Sequence, residues 1–177
     1  MRTFITILFS FCIIFIDPSV FGEASTRPRE SIIGGFDFTS NLITDQQLMN
    51  QFGRGCVAGD FPDHYRRIYY MPGEKIYVSF LIETDNIVVG LELSKELNAS
   101  TTCKARKSLS SFATGHKVAL GDSEKKTVNA YGKPARSEVQ KDGVCVYRYY
   151  VGRTEGPYME IKFFNRRVIS ILITVGD

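Results

Sequence analysis

The chain has 177 residues, with 22 basic against 19 acidic side chains and a formal net charge of +3, so charge alone points to no nucleic-acid partner. Hydrophobic residues make up 44% and charged residues 23%, a globular balance that excludes a disordered or fibrous chain. There is no Trp, but 13 Phe and 9 Tyr suit β-rich structure.

The N-terminus carries the clearest signal. Arg2 is followed by a nearly unbroken apolar run over 4–16, ended by Asp17 and Pro18. That is the length of a secretory h-region and too short to span a bilayer. Cleavage after Gly22 or Ala24 is expected, so 1–24 reads as a signal peptide, with an uncleaved membrane anchor as the competing reading. Cys12 follows Phe11 inside the apolar run, unlike a lipobox, which wants a small residue there. The product is expected in the periplasm or outside the cell.

Residues 25–43 read as a flexible N-terminal segment. Over 44–52, Leu48, Met49 and Phe52 recur at helical spacing, with Asp45 near the start and Gly53 just past the end. A loop is expected over 56–64, containing Gly59, Asp60, Pro62 and Asp63. Strand patterns follow over 66–71, 75–83 and 86–94, separated by Pro72-Gly73 and Thr84-Asp85. Residues 95–116 form a basic linker rich in Ser and Thr; Asn98-Ala99-Ser100 within it matches a glycosylation sequon. A second short helix is expected over 123–131, with Val128 and Tyr131 on one face and Gly132 at its stop. Strands over 144–151, 158–164 and 167–175 complete the chain, with turns at Gly156-Pro157 and Asn165-Arg166.

The order helix, glycine, three strands thus occurs twice. Gly53 and Gly132 are 132 − 53 = 79 residues apart, and at that offset Met49 falls on Val128, Ile68 on Tyr147 and Tyr70 on Tyr149. The expected fold is α+β, with two tandem units over 44–94 and 117–177, each a short helix on a three- to four-stranded antiparallel sheet. Alternation then assigns Ile68, Tyr70, Ile76, Val78, Phe80, Ile82, Val89, Leu91 and Leu93 to the inner face of the first unit. In the second it assigns Cys145, Tyr147, Tyr149, Met159, Ile161, Phe163, Ile169, Ile171 and Ile173. The opposite face carries Met71, Leu81, Glu92, Glu160 and Leu172 together with Arg67, Tyr69, Tyr77, Arg148, Tyr150, Tyr158, Lys162 and Phe164. The last eight, aromatic and cationic side chains interleaved on a sheet, are the candidate partner-binding residues. An ordinary sheet face of cross-strand pairs is the plainer reading.

Removal of the signal leaves Cys56, Cys103 and Cys145, which allow one bridge and one leftover thiol. Cys145 lies mid-strand among apolar neighbours, where a buried free thiol belongs, so Cys56 and Cys103 are the expected pair; spacing alone does not fix it. No CxxC accompanies His64 or His116, so no metal is expected. GxSxG and HExxH are absent, and Gly53-Arg54-Gly55 lacks the lysine and hydroxyl of a phosphate loop. His64, with Asp60 and Asp63 nearby, is the best candidate for acid–base work.

The second half contains Leu120-Gly121-Asp122-Ser123-Glu124, then Tyr131-Gly132-Lys133-Pro134, and later Ile161-Lys162-Phe163 and Arg167-Val168-Ile169-Ser170-Ile171. This phrase resembles the helix–sheet module of the SmpA/OmlA (BamE-type) assembly lipoproteins and of the tandem-repeat β-lactamase inhibitor proteins. The resemblance covers about 117–176, and 44–94 more loosely. It implies a role in holding another protein, without catalysis or cofactor. The chain departs from it in lacking a lipobox and a cysteine pair within each unit, and in having Arg54-Gly55-Cys56 where the second half has Lys133-Pro134-Ala135. The expectation is an exported, non-enzymatic protein-binding module of inhibitor, immunity or envelope-assembly type, its partner an envelope component, a hydrolase or a toxin. The competing expectation is a periplasmic small-ligand binder or enzyme centred on the His64 loop.

Overall fold

The computed structural model describes residues 32–37, 42–61, 63–95, 103, 105–107, 109, 112–150 and 158–174. The expected signal peptide and the Asn98 sequon lie outside the described residues. Ten strands and two helices run in the order β1 (Ile32–Ile33), β2 (Phe36–Asp37), α1 (Asp45–Phe52), β3 (Cys56–Phe61), β4 (His64–Met71), β5 (Ile76–Glu83), β6 (Val88–Ser94), α2 (Glu124–Tyr131), β7 (Arg136–Val139), β8 (Cys145–Tyr150), β9 (Tyr158–Phe164) and β10 (Arg167–Thr174).

Eight of the strands form one antiparallel sheet in the order β3-β4-β5-β6-β10-β9-β8-β7. This overturns the expectation of two tandem units, each a helix on its own sheet. The β6–β10 ladder, from Ser94↔Ser170 to Gly90↔Thr174, makes the sheet continuous, and the described residues are mostly sheet with two short helices. Alternation along single strands carries no information about which strands from distant parts of the chain will pair, so this ladder was not legible in it.

Each helix is only eight residues long, too short to stand alone, and is held by its caps and its packing. The Thr44 hydroxyl accepts from the Gln47 amide while the Gln47 side chain accepts from the Thr44 amide, a capping box. Ser123 caps α2 by accepting from Lys126. Both helices end on glycines in the left-handed half of backbone space, Gly53 at φ 93° and Gly132 at φ 81°. Leu48 and Phe52 are the buried apolar residues of α1, and Thr127 and Tyr131 the buried residues of α2; Val128 is only half-buried.

The core lies between the helices and one face of the sheet. Phe52 stacks on Phe80 at 6.2 Å and tilts against Tyr69 at 5.5 Å, with Phe36 edge-on to Phe80 at 5.2 Å. Across the seam the same face continues through Leu91, Leu93, Ile171, Ile173, Met159, Ile161 and Phe163, all buried. Within 25–43, read as flexible, Ile33 is fully buried and Gly34 donates to the Ala113 carbonyl. Within 95–116, read as a linker, Leu109 and Thr114 are buried, and Cys103 and Ala105 pair with Tyr70 where β3 has ended.

Two β-bulges account for misassigned faces. The register shifts between Leu81 and Ile82 and again between Val168 and Ser170. Each bulge inserts a residue and inverts the alternation beyond it. Val88 and Val168 are therefore buried where Val89 and Ile169 were expected.

Candidate functional site

The face of the sheet turned away from the helices is laid out by register. Its middle row runs Ile68, Ser79, Glu92, Leu172, Glu160, Arg148 and Arg136 across β4, β5, β6, β10, β9, β8 and β7. Two carboxylates stand either side of Leu172, each held by a cation from the next strand or the one beyond. Arg66 donates to Glu92 at 2.6 Å and Ser170 to its other oxygen at 2.9 Å. Arg148 donates to Glu160 at 2.7 Å, and the Lys162 ammonium lies 3.5 Å from the second oxygen. The bond to Glu160 outweighs burial and holds Arg148 more firmly in its charged form. Between Ile68 and Glu92, the Ser79 hydroxyl is buried and finds no hydrogen-bond partner among the described residues.

Tyrosine pairs stand at two ends of this charged band. Tyr70 and Tyr77 face each other across β4 and β5 with centroids 5.0 Å apart. Tyr150 and Tyr158 do the same across β8 and β9 at 6.2 Å, and the Arg136 guanidinium lies 5.7 Å from the Tyr150 ring. All four tyrosines are half-buried, and Phe164 is 47% exposed at the end of β9.

Six of the eight candidate residues, Tyr77, Arg148, Tyr150, Tyr158, Lys162 and Phe164, share this face. Arg67 and Tyr69 do not. Both are buried on the helix side, and with Met71 they correct the assignment of β4. Arg67 binds Asp45 through two guanidinium nitrogens and the Arg54 carbonyl through the third. Tyr69 donates to the Gly53 carbonyl at 2.9 Å, and burial pushes its phenol up to about 12. Tyr149 donates to the Gly132 carbonyl at 3.4 Å in the same way. Hence Tyr69, and not Tyr70, is the structural counterpart of Tyr149. The face of β4 was ambiguous because it is apolar on both sides: Ile68, on the outer face, is also buried. Arg66 was missed for the same reason, and Ser170 because only the β6–β10 ladder brings it to Glu92.

His64 does not sit in a loop. β3 runs through Phe61, and His64 opens β4 opposite Phe61 and Glu83. Asp63 is exposed in the intervening turn. Gly59 and Asp60, taken as loop residues, lie in β3.

Cys56 and Cys103 are joined by a disulfide, with Cα atoms 5.5 Å apart, and Cys145 is a free, half-buried thiol. Burial, then the charge of Glu124, raises the Cys145 thiol above its ordinary value, which keeps it protonated and unreactive. Glu124, in the first turn of α2, accepts from the Tyr147 hydroxyl. A surface depression of about 360 Å³ lies beside α2, lined by Ser123, Glu124, Lys125, Val128, Asn129 and Arg166. Among the described residues no group of three or more His, Cys, Asp or Glu could hold a metal ion, and no helix is long and apolar enough to cross a membrane.

No family model and no curated protein matches the chain. Solved structures similar to the chain include the following three. A DUF4309 family protein from Bacillus subtilis is 12% identical, with 75% of this chain and 78% of that one covered and a TM-score of 0.49. An extracellular protein containing an SCP domain from Bacillus anthracis is 10% identical over 90% of this chain and 49% of that one, at 0.46. A cysteine-rich secretory protein from Staphylococcus aureus is 12% identical over 77% and 44%, at 0.46. The chain therefore spans less than half of the last two. None of the three is described as a BamE-type or inhibitor protein, and likeness at this level assigns no function.

Proposed function

We propose that this is an exported protein that binds another protein through the outer face of its sheet, without catalysis of its own. The observation that carries the reading is the arrangement of that face: two tyrosine pairs bracketing a band of cations already held by carboxylates. Tyrosines fixed by neighbouring rings supply apolar contact area and a hydroxyl at little entropic cost. The paired charges favour a partner of mixed surface charge, since a strongly one-signed partner would meet both signs. Phe164 adds an exposed apolar contact at one margin. Export rests on the apolar run over 4–16, and the Cys56–Cys103 disulfide is at home in an oxidising compartment. A periplasmic or fully extracellular location fits equally, as do envelope components, hydrolases and toxins as partners.

The test is capture of a partner from envelope extract and culture medium by the chain starting at Glu23. A single stoichiometric protein is expected, lost when Tyr77, Tyr150 and Tyr158 are replaced together by Ala and retained when His64 is replaced by Ala. Capture that survives the triple replacement, with the protein still cooperatively folded, would overturn the assignment to this face. Loss on replacing His64 alone would favour the ligand-binding or enzymatic reading.

A further inference from the structure

The two edges of the eight-stranded sheet are built differently. At β3 the ladder is broken by the register shift between Ala58 and Phe61, and beyond Cys56 it is Cys103 and Ala105 that pair with β4. A bulged, interrupted edge resists further strand addition. Among the described residues β7 has neither device. Arg136–Val139 pairs with β8 in an unbroken register, all four residues are exposed, and Val139 is 74% exposed.

The backbone of β7 shows which groups remain available. Gln140 donates to the Val144 carbonyl, and Gly143 to Gln140, closing the hairpin. Gln140 therefore stands in a hydrogen-bonded pair, and so, two and four residues back, do Glu138 and Arg136. The N–H and C=O groups of Ser137 and Val139 consequently point away from β8.

From this edge we infer that β7 pairs antiparallel with β7 of a second copy of the chain, Ser137 facing Ser137 across a twofold axis. That register exchanges the outward Ser137 groups between copies. It sets Arg136 opposite Glu138 of the second copy, and Glu138 opposite Arg136, on the outer face of the joined sheet. It also places Val139 beside Ala135 on the other face; the Ala135 N–H already donates to the Arg148 carbonyl at 2.9 Å, so the exchange between copies centres on Ser137. Alternating charges of opposite sign two residues apart are self-complementary in this register, and shifting it by two residues loses one or both matches. The contact is small, so the dimer forms at high micromolar concentration rather than as an obligate assembly.

The experiment is sedimentation velocity of the chain from Glu23, from micromolar to millimolar concentration. The wild type is expected to shift toward dimer as concentration rises. Glu138→Arg sets Arg against Arg, and Arg136→Glu sets Glu against Glu. Each alone is expected to weaken dimerisation at least about tenfold. An equimolar mixture of the two variants restores complementary pairs, so it is expected to form a heterodimer at least as well as the wild type. Ser137→Pro removes an outward N–H and abolishes the dimer while the melting curve stays cooperative. A wild type that is monomeric at millimolar concentration would overturn the inference, as would a dimer indifferent to either charge reversal. Partner capture in the Tyr77/Tyr150/Tyr158 variant reads the outer face of the sheet, whereas the charge reversals and Ser137→Pro read its β7 edge.

Discussion

Arg67 reaches from β4, the strand next to the sheet edge, to grip both carboxylate oxygens of Asp45 in the first turn of α1. Its remaining nitrogen holds the Arg54 carbonyl just past the end of the same helix, so one side chain ties both ends of α1 to β4. Tyr65 adds a bond to Asp45 at 2.9 Å. Both partners of the ion pair are buried. Removing one leaves the other uncompensated, so Arg67→Met is expected to destabilise the fold by about 3–5 kcal/mol, read as a fall in the urea midpoint. Partner capture by the fraction that remains folded is expected to be unchanged, because Arg67 is not on the outer face.

The same pair sets an acid limit. Burial alone would push the Asp45 carboxyl up, but the hydrogen bonds from Arg67 and Tyr65 and the Arg67 charge together hold it below its ordinary value. A carboxyl depressed in the folded state stabilises the fold above its unfolded pKa, about 3.9. That contribution is lost as pH falls through the folded value. The melting temperature is thus expected to drop below about pH 4. In Asp45→Asn it starts lower and its acid slope is shallower, which a series of melts from neutral pH downward would measure.

The disulfide closes a long loop, with Cys56 and Cys103 separated by 47 residues. By loop-closure entropy, opening it should cost about 4 kcal/mol. Replacing both cysteines with Ser is expected to lower the denaturation midpoint accordingly. Treating the wild type with reductant should bring it to the same value, and the paired variant should ignore reductant.

The β9–β10 turn offers a gain. Asn165 and Arg166 occupy its two central positions with φ 49° and 59°. Both angles are those of a tight hairpin turn that favours Asn followed by Gly. The arginine is therefore strained, while its carbonyl does useful service by accepting from the Glu124 amide at 3.0 Å. Arg166→Gly keeps that carbonyl and is expected to stabilise the protein by about 1 kcal/mol, seen as a raised melting temperature.

The sequence made the helices and six of the main strands legible, because Leu48, Phe52 and Tyr131 recur at helical spacing and β5, β9 and most of β10 alternate cleanly. β3 and β7 escaped notice for opposite reasons. One carries Gly59 and Asp60 in mid-strand, and the other is exposed throughout and buries nothing that would leave a pattern. The faces failed where a strand is buried on both sides, as at Ile68 and Tyr69, or where a bulge inverts the count, as at Val88 and Val168. The candidate site inherited these errors: two of its eight residues belong to the core, and the cation Arg66 and hydroxyl Ser170 that hold Glu92 emerged only with the register.

The β6–β10 ladder also determines how the polypeptide tolerates being split. Separated halves would each bare a former central strand, with Leu91 and Leu93 on one torn edge and Ile171 and Ile173 on the other. Such long apolar edges recruit any strand available. A fragment beginning at residue 117 and made alone is expected to aggregate, whereas co-expression with the preceding half should yield a reassembled, soluble pair. The two halves therefore behave as mutual chaperones, each supplying the strand that keeps the other in solution.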